Sequence, residues 1–455
     1  MSSTITAICT AQGNGAISMI RVSGPEAYDI VGKIFRPLRK DFDFVACAKK
    51  NHFYNGYIID SDGETLDRVV VLAYRAPNSY TGEDTVEISC HASIYIQHQI
   101  LKLLIANGAV PAEPGEFTRR AFVNKKMDLS QAEAVADLIA SKSKADHQIA
   151  INQMRGGITQ EIKRLRDLLL KFTSLMELEL DFSEEDVEFA DRTQLNDILT
   201  ETDGYLTRLI DSFNYGNAIK NGVPVAICGQ PNAGKSTLLN ALLNDERAIV
   251  SDIPGTTRDI LEDTIVIKGV TYRLIDTAGI RETDDRIESL GIDRAKSAMQ
   301  KARIVILLLD AQYNLQKQID DVLPKDLDSD VVAVVNKCDV ADVDVSSLSD
   351  FRKVIKISAK NRTNIQKLTD ILASLASSDY QAGDVILTNI RHLDIFTKAR
   401  ESLRRGHQAL RDGLSGEFVS QDIREVLRYF ADITGDEITT DEVLGNIFAH
   451  FCIGK

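Results

Sequence analysis

Cysteine is scarce and scattered in this chain. Six of its 455 residues are cysteine. None lies in CxxC spacing, which argues against a disulfide framework and against a zinc cluster. They read as buried apolar fillers in a reducing compartment. Proline is absent from Glu116 to Phe213, so nothing there interrupts long helices. Long hydrophobic runs are missing as well. The densest, Ile304 to Leu309, is far shorter than the roughly 20 residues that span a bilayer. No Lys or Arg precedes Arg21, so the N-terminus lacks the charged region of a secretory signal. The expectation is a soluble, cytoplasmic protein with no membrane partner. Positive charge is also in deficit, with 53 Lys and Arg against 67 Asp and Glu, a net −14. So acidic a chain is a poor non-specific nucleic-acid binder, and RNA contact would need a local basic patch.

What is present is ordinary globular composition, 44% hydrophobic and 26% charged, in a length that suits about three domains. Residues 1–117 mix β-rich runs (Ile17–Val22, Val69–Tyr74, Thr85–Ser89) with helical patterns at Glu26–Phe35 and Ile94–Ala106, which predicts an α+β domain. Residues 118–215 carry helical periodicity through AEAVADLIASK, IKRLRDLLLKFTSLMELEL and Thr193–Phe213. From 216 to 377, the apolar strands VPVAICG, RLIDTAG, RIVILLLD, VVAVVNKCD and KVIKISA alternate with helices, which predicts a parallel sheet covered on both faces. Residues 378–455 are helical again and too short for a large core of their own. The fold class expected is therefore multidomain: an α+β front, a discontinuous all-α domain, and an α/β unit inserted into it.

The inserted unit carries the chemistry. GQPNAGKS, Gly229–Ser236, follows a strand and opens a helix, as a phosphate-binding P-loop requires. The backbone of Asn232, Ala233 and Gly234 would cradle phosphate oxygens. Lys235 would supply charge to the β- and γ-phosphates, and Ser236 would ligate Mg²⁺, with Thr237 next along the helix. DTAG, comprising Asp276, Thr277, Ala278 and Gly279, places a carboxylate within water-mediated reach of Mg²⁺ and a Gly N–H near the γ-phosphate. In NKCD, Asn336 and Lys337 precede Asp339, whose carboxylate accepts two hydrogen bonds from guanine. Adenine offers no such pair, so the base is guanine and the nucleotide GTP. Ser358, Ala359 and Lys360 (SAK) would finish the base pocket with a backbone N–H. Within PGTTRD, Thr257 is the residue that would ligate Mg²⁺ only while the γ-phosphate is present.

With RVSGP at Arg21, SYTGED from Ser79, PGEFTRRAFVNKKMDLSQAEAVADLI, DTAGIRETDDRIESLGI and the terminal FCIGK in view, the whole chain resembles the MnmE/TrmE tRNA-modification GTPases. The resemblance implies a homodimer that works with an FAD-dependent partner protein, together a heterotetramer. Such an assembly adds an aminomethyl-type group, such as carboxymethylaminomethyl, to C5 of the wobble uridine in certain tRNAs. It implies a 5-formyl-tetrahydrofolate-like donor held in the front domain by Arg21, Glu87, Lys126 and Lys455. It also places Ser251, Asp252, Ile253, Pro254, Gly255 and Thr256 at the nucleotide. Ras-type enzymes put a water-orienting Gln directly after DTAG, but here that position is Ile280. The resemblance points instead to Glu288 as the water-orienting carboxylate. In place of an arginine finger it implies K⁺, held by Asn232 and by switch oxygens of Ser251, Ile253 and Thr256.

Three features have ordinary explanations beside functional ones. Cys452 has only Lys455 nearby to lower its thiol pKa, so packing at a dimer centre is as good a role as catalysis. The basic stretch Arg391, Lys398, Arg400, Arg404, Arg405 and Arg411 could meet RNA phosphates, though a solvated helix face fits it better. Glu288 alone would read as a helix-surface residue. Two other functions compete with the modification enzyme. A ribosome-assembly GTPase would call for an RNA-binding appendage such as a KH domain, and none follows the inserted unit. A folate carrier with a regulatory GTPase domain would bind folate without altering tRNA.

Overall fold

The computed structural model describes residues 3–11, 13–39, 42–48, 51–181, 192–245, 264–275, 296–324, 326–327, 329–376, 384–435, 447–448, 451 and 454. The chain forms two compact units. One comprises Met1–Ile139, Gln153–Asp191 and Ala409–Lys455, and the other Ala140–Asn152 and Arg192–Gln408.

Among the described residues of the first unit, seven strands form one sheet: β1 (Ile5–Ile8), β2 (Ile17–Ser23), β3 (Phe35–Pro37), β4 (His52–Ile59), β5 (Thr65–Tyr74), β6 (Thr85–His91) and β7 (Val110–Pro111). Their order is β3-β4-β5-β6-β2-β1-β7. Neighbours are antiparallel except β1 and β7, which run parallel. Alternation decides which face is buried. Ile20 and Val22 of β2, Val69 and Val71 of β5, and Val86 and Ile88 of β6 pack with the helices Ala27–Ile34 and Ile94–Ala106. Both helices and all three strands follow the sequence pattern. β1, β3 and β7 have four, three and two residues, too few to show alternation. β4 begins with exposed His52 and Phe53, which blurs its pattern.

The same unit holds a helix pair. Ile158, Ile162, Leu165, Leu169, Phe172 and Met176 repeat at steps of four and three along Gly157–Asp181 and are all buried. Val419, Ile423, Val426, Phe430 and Ile433 do the same along Gly416–Thr434. That spacing keeps one apolar stripe on each helix, and the two helices pack on each other. The helix Gly416–Thr434 thus covers the earlier Gly157–Asp181, as its lack of an independent core requires.

The second unit is built on β8 (Val223–Cys228), β9 (Thr264–Ile267), β10 (Val270–Leu274), β11 (Ile304–Asp310), β12 (Asp330–Asn336) and β13 (Lys353–Lys356), in the order β13-β12-β11-β8-β10-β9. All pairs are parallel except β9 with β10. The sheet is therefore mixed, where the sequence pattern predicts a parallel one. β9 was not anticipated, and it reaches β10 through a two-residue turn with Lys268 and Gly269 at φ 50° and 79°, a type I′ geometry. β11 is buried at all seven positions. Ile304, Ile306 and Leu308 join one core, and Leu307 and Leu309 the other, which explains its unbroken apolar run.

The helix Arg192–Asn221 runs eight residues past the predicted end at Phe213. Gly216 sits inside it because the returning segment passes against it: a Cβ there would collide with the Leu387 carbonyl. The Ser212 hydroxyl accepts the Leu387 N–H at 3.0 Å. The helix Ile390–Arg411 is tied to this long helix by Arg404–Asp203 and His407–Asn196. Among the described residues no helix is long and apolar enough to cross a membrane.

Candidate functional site

β8, β11, β12 and β13 lie side by side, so the loops after their C-terminal ends converge on one edge, where parallel sheets place ligands. The Gly229–Gly234 loop joins β8 to the helix Lys235–Asp245. Its backbone needs left-handed residues at Asn232 (φ 62°) and Gly234 (φ 98°). A Cβ at 234 would lie 2.5 Å from Asn336 Nδ2, so only glycine fits there. Lys235 Nζ donates to the carbonyls of Gly229 at 2.9 Å and Gln230 at 3.0 Å, which folds the lysine over the loop it would share with phosphates. Burial pulls its pKa below the ordinary lysine value, and a phosphate anion would offset that desolvation. Ser236 and Thr237 are exposed on the first turn. A cradle of this shape, with a hydroxyl at its rim, fits phosphates and a hard divalent cation.

Asn336 is buried and joins two loops. Its Nδ2 donates to the Ala233 carbonyl at 2.9 Å, and its Oδ1 accepts the Ala359 N–H at 3.0 Å. The Ala359 N–H is thus committed within the protein. Asp339 is exposed, while Ser358 beside it is buried. A hydrogen bond from the Ser358 hydroxyl holds the Asp339 carboxyl below the usual carboxylate range. Lys337 Nζ reaches the Asp310 carboxylate at 2.6 Å. Gln318 fixes Asp310 in turn, accepting its N–H at 2.9 Å and donating to its carbonyl at 3.0 Å. Sequence reasoning missed Asp310 and Gln318, although Asp310 ends the RIVILLLD strand just as Asn336 ends the next. Ser251, Asp252, Ile253, Pro254, Gly255, Thr256, Thr257, Asp276, Thr277, Ala278, Gly279 and Glu288 lie outside the described residues.

The first unit carries a second candidate site. Arg21 on β2 and Glu87 on β6 are register partners and form an ion pair with both N–O distances at 2.8 Å. Their side chains are only 14% and 12% exposed. The guanidinium also lies 5.0 Å from the Tyr80 ring centroid and 5.3 Å from that of Phe117, which fixes its plane by cation–π contact. Beside the pair is a cleft of about 250 Å³ lined by Tyr74, Asn78, Ser79, Tyr80, Thr85 and Glu87. Burial pushes the Tyr74 and Tyr80 phenols up, so both remain neutral hydroxyls. Lys126 donates to the Pro77 carbonyl at 2.9 Å, at the loop that lines the cleft. Lys455 and Cys452 lie outside the described residues. Gly454 sits against Ile8 and Cys9 at the end of β1, the strand next to the one that carries Arg21.

The basic stretch is partly neutralised. Arg404 is held by Asp203 at 2.7 and 3.1 Å, and Lys398 by Asp394 at 2.6 Å. Among the described residues no cluster of three His, Cys, Asp or Glu could hold a metal ion. The described cysteines Cys9, Cys90, Cys228 and Cys338 form no disulfide.

A sheet with this strand order, carrying a glycine-cornered loop between β8 and its helix, defines a P-loop GTPase domain, here one part of a multidomain chain. A family model described as the MnmE helical domain matches residues 129–452, and one described as GTP-binding protein TrmE N-terminus matches residues 4–126. The chain belongs to the MnmE family. It is 52% identical over 464 residues to the tRNA modification GTPase MnmE of Parabacteroides distasonis, with 100% of both chains covered. It is 51% identical to the protein of that name from Bacteroides thetaiotaomicron, with 99% of each covered. Among solved structures, the FeoB G-domain of Methanococcus jannaschii is similar to 34% of this chain over 97% of its own length, at 22% identity and a TM-score of 0.24.

Proposed function

We propose that this protein hydrolyses GTP to drive or gate modification of tRNA. Working with an FAD-dependent partner, it would add a carboxymethylaminomethyl-type group to C5 of the wobble uridine. The observation that carries the reading is the Asn336 bridge, which ties the P-loop to the SAK loop beside the exposed Asp339 carboxylate. Phosphate and guanine recognition would thereby share one hydrogen-bonded frame. The relatives of the same family, matched end to end, are named as tRNA modification GTPases.

In this reading, Asp339 accepts the two guanine N–H donors and Lys235 holds the β- and γ-phosphates. The hydroxyls of Ser236 and Thr257 would hold Mg²⁺. Asn232 with oxygens of Ser251, Ile253 and Thr256 would hold K⁺. The two ions supply positive charge that offsets the charge developing on the phosphate oxygens. Glu288 orients the attacking water, because Ile280 has no group that can. The front cleft takes a 5-formyl-tetrahydrofolate-like donor: the Glu87 carboxylate suits a pterin's N–H edge, and Arg21, Lys126 and Lys455 suit its anionic groups. The protein acts as a homodimer in the cytoplasm.

GTP turnover measured in KCl and in NaCl at matched ionic strength tests the hydrolytic part. Much faster turnover in KCl is expected, with Glu288→Ala losing turnover while retaining nucleotide affinity. Equal rates in the two salts would overturn the K⁺ assignment, and a fully active Glu288→Ala would overturn the role of Glu288.

A further inference from the structure

Arg120 is one of the largest fully buried side chains in the protein, 1% exposed, and it lies outside every role assigned above. All of its donor nitrogens are engaged. Nη1 donates to the Ser3 carbonyl at 2.8 Å and to Glu83 Oε2 at 3.1 Å. Nη2 donates to Glu116 Oε1 at 2.8 Å and to the Ser3 hydroxyl at 3.3 Å, and Nε donates to the same Glu116 oxygen at 3.3 Å. Glu83 Oε2 also accepts the Ser23 hydroxyl at 2.9 Å. One guanidinium therefore joins the start of β1, the loop after β5, the helix Glu116–Val123 and, through Glu83, the end of β2.

The loop it grips forms one wall of the cleft. Asn78, Ser79 and Tyr80 line that cleft, and Glu83 lies three residues further on. Neighbours of Arg120 fasten the same loop at other points. The Tyr80 hydroxyl pairs with Thr118 at 2.8 Å and Asn124 Nδ2 donates to the Thr81 carbonyl at 2.8 Å, while within the loop the Ser79 hydroxyl donates to the Glu83 carbonyl at 2.6 Å. Burying a charged triad is costly. Apolar side chains of similar volume often stabilise a fold as well or better, so stability alone is a weak reason for this one. A triad that admits a single arrangement of directional bonds does specify one loop shape.

We propose that Arg120 is a positioning residue for the front cleft: through Glu83 and Glu116 it holds the Pro77–Glu83 loop in the shape that receives the ligand. The inference rests on the reading of the cleft as a folate site. It is tested on the full-length protein by calorimetric titration with 5-formyl-tetrahydrofolate, comparing the wild type with Arg120→Lys, the near-isosteric Glu83→Gln and the surface variant Asn124→Ala. Arg120→Lys and Glu83→Gln should raise Kd at least tenfold, and Asn124→Ala several-fold. Stoichiometry should stay at the wild-type value and GTP turnover should be unchanged. A purely structural role would instead lower the stoichiometry, through a smaller competent fraction, and leave Kd where it was. That result, or a Kd for Glu83→Gln within twofold of wild type, would overturn the proposal. If Arg120→Lys does not fold, the other two variants decide. Wild-type protein that takes up no folate would overturn the folate reading itself, and this proposal with it.

Discussion

In the proposed guanine contact, one hydrogen bond to Asp339 would set both a specificity and a pH range. Only the ionised carboxylate accepts both guanine donors, and the Ser358 hydroxyl lowers its pKa below the ordinary carboxylate value. A depressed pKa keeps the group ionised as pH falls through the usual Asp range. GTP affinity should therefore persist across that range and fall only below it. Ser358→Ala should move the acid limb of affinity against pH upward, towards the ordinary carboxylate value. Asp339→Asn should lose GTP affinity strongly and gain xanthosine triphosphate, whose carbonyl accepts from the new amide where guanine's amine cannot. Titration of both nucleotides between pH 3 and 7, as far as the fold survives, checks each expectation. Undiminished GTP affinity in Asp339→Asn would refute the assignment. The candidate residues Lys235, Asn336 and Asp339 could be read from the sequence because phosphate and base chemistry call for them at fixed spacing, and Arg21 and Glu87 came from the resemblance; the structure pairs Arg21 with Glu87 and makes Asn336 a bridge between two loops. The residues that hold such groups in place were not legible. Asp310 lies 27 positions from Lys337 and Arg120 lies 37 from Glu83, and no local pattern joins such pairs.

At the scale of elements, legibility followed length and burial. β11 and the two helices with alternating steps of four and three were plain because each buries an unbroken stripe. The β9–β10 hairpin escaped because β9 has only four residues and its signal is the Lys-Gly turn. That turn carries its own prediction. Gly269 stands at φ 79°, its carbonyl accepts the Ala145 N–H at 3.2 Å, and any other L-residue there adopts a left-handed conformation at roughly 1–2 kcal/mol. Gly269→Ala should lower unfolding free energy by about that amount in urea titration, whereas Lys268→Asn, with a residue that tolerates αL, should change it little. Equal stability of Gly269→Ala and wild type would show that the turn relaxes to another type. The unexpected length of the helix Arg192–Asn221 has a similar origin: Gly216 reads as a breaker in sequence and is a contact surface in the fold.

For the molecule as a whole, the proposed function places two chemistries on two compact units of one chain: nucleotide hydrolysis on the β8–β13 sheet and one-carbon donor binding on the β1–β7 sheet. The net charge of −14 and the ion pairs of Arg404 and Lys398 argue against a general attraction to RNA; in the proposed function tRNA would be engaged as the substrate of a defined reaction. The proposed function has both sites serve that one reaction. It is tested most directly by nucleoside mass spectrometry of tRNA from cells whose only copy of this protein carries either Lys235→Ala or Arg21→Ala, alongside GTP turnover of the purified variants. Expected is loss of the wobble-uridine C5 modification in both strains, with GTP turnover lost for Lys235→Ala and retained for Arg21→Ala. Unchanged wobble uridines in either strain, with the variant protein present at wild-type level, would contradict the account.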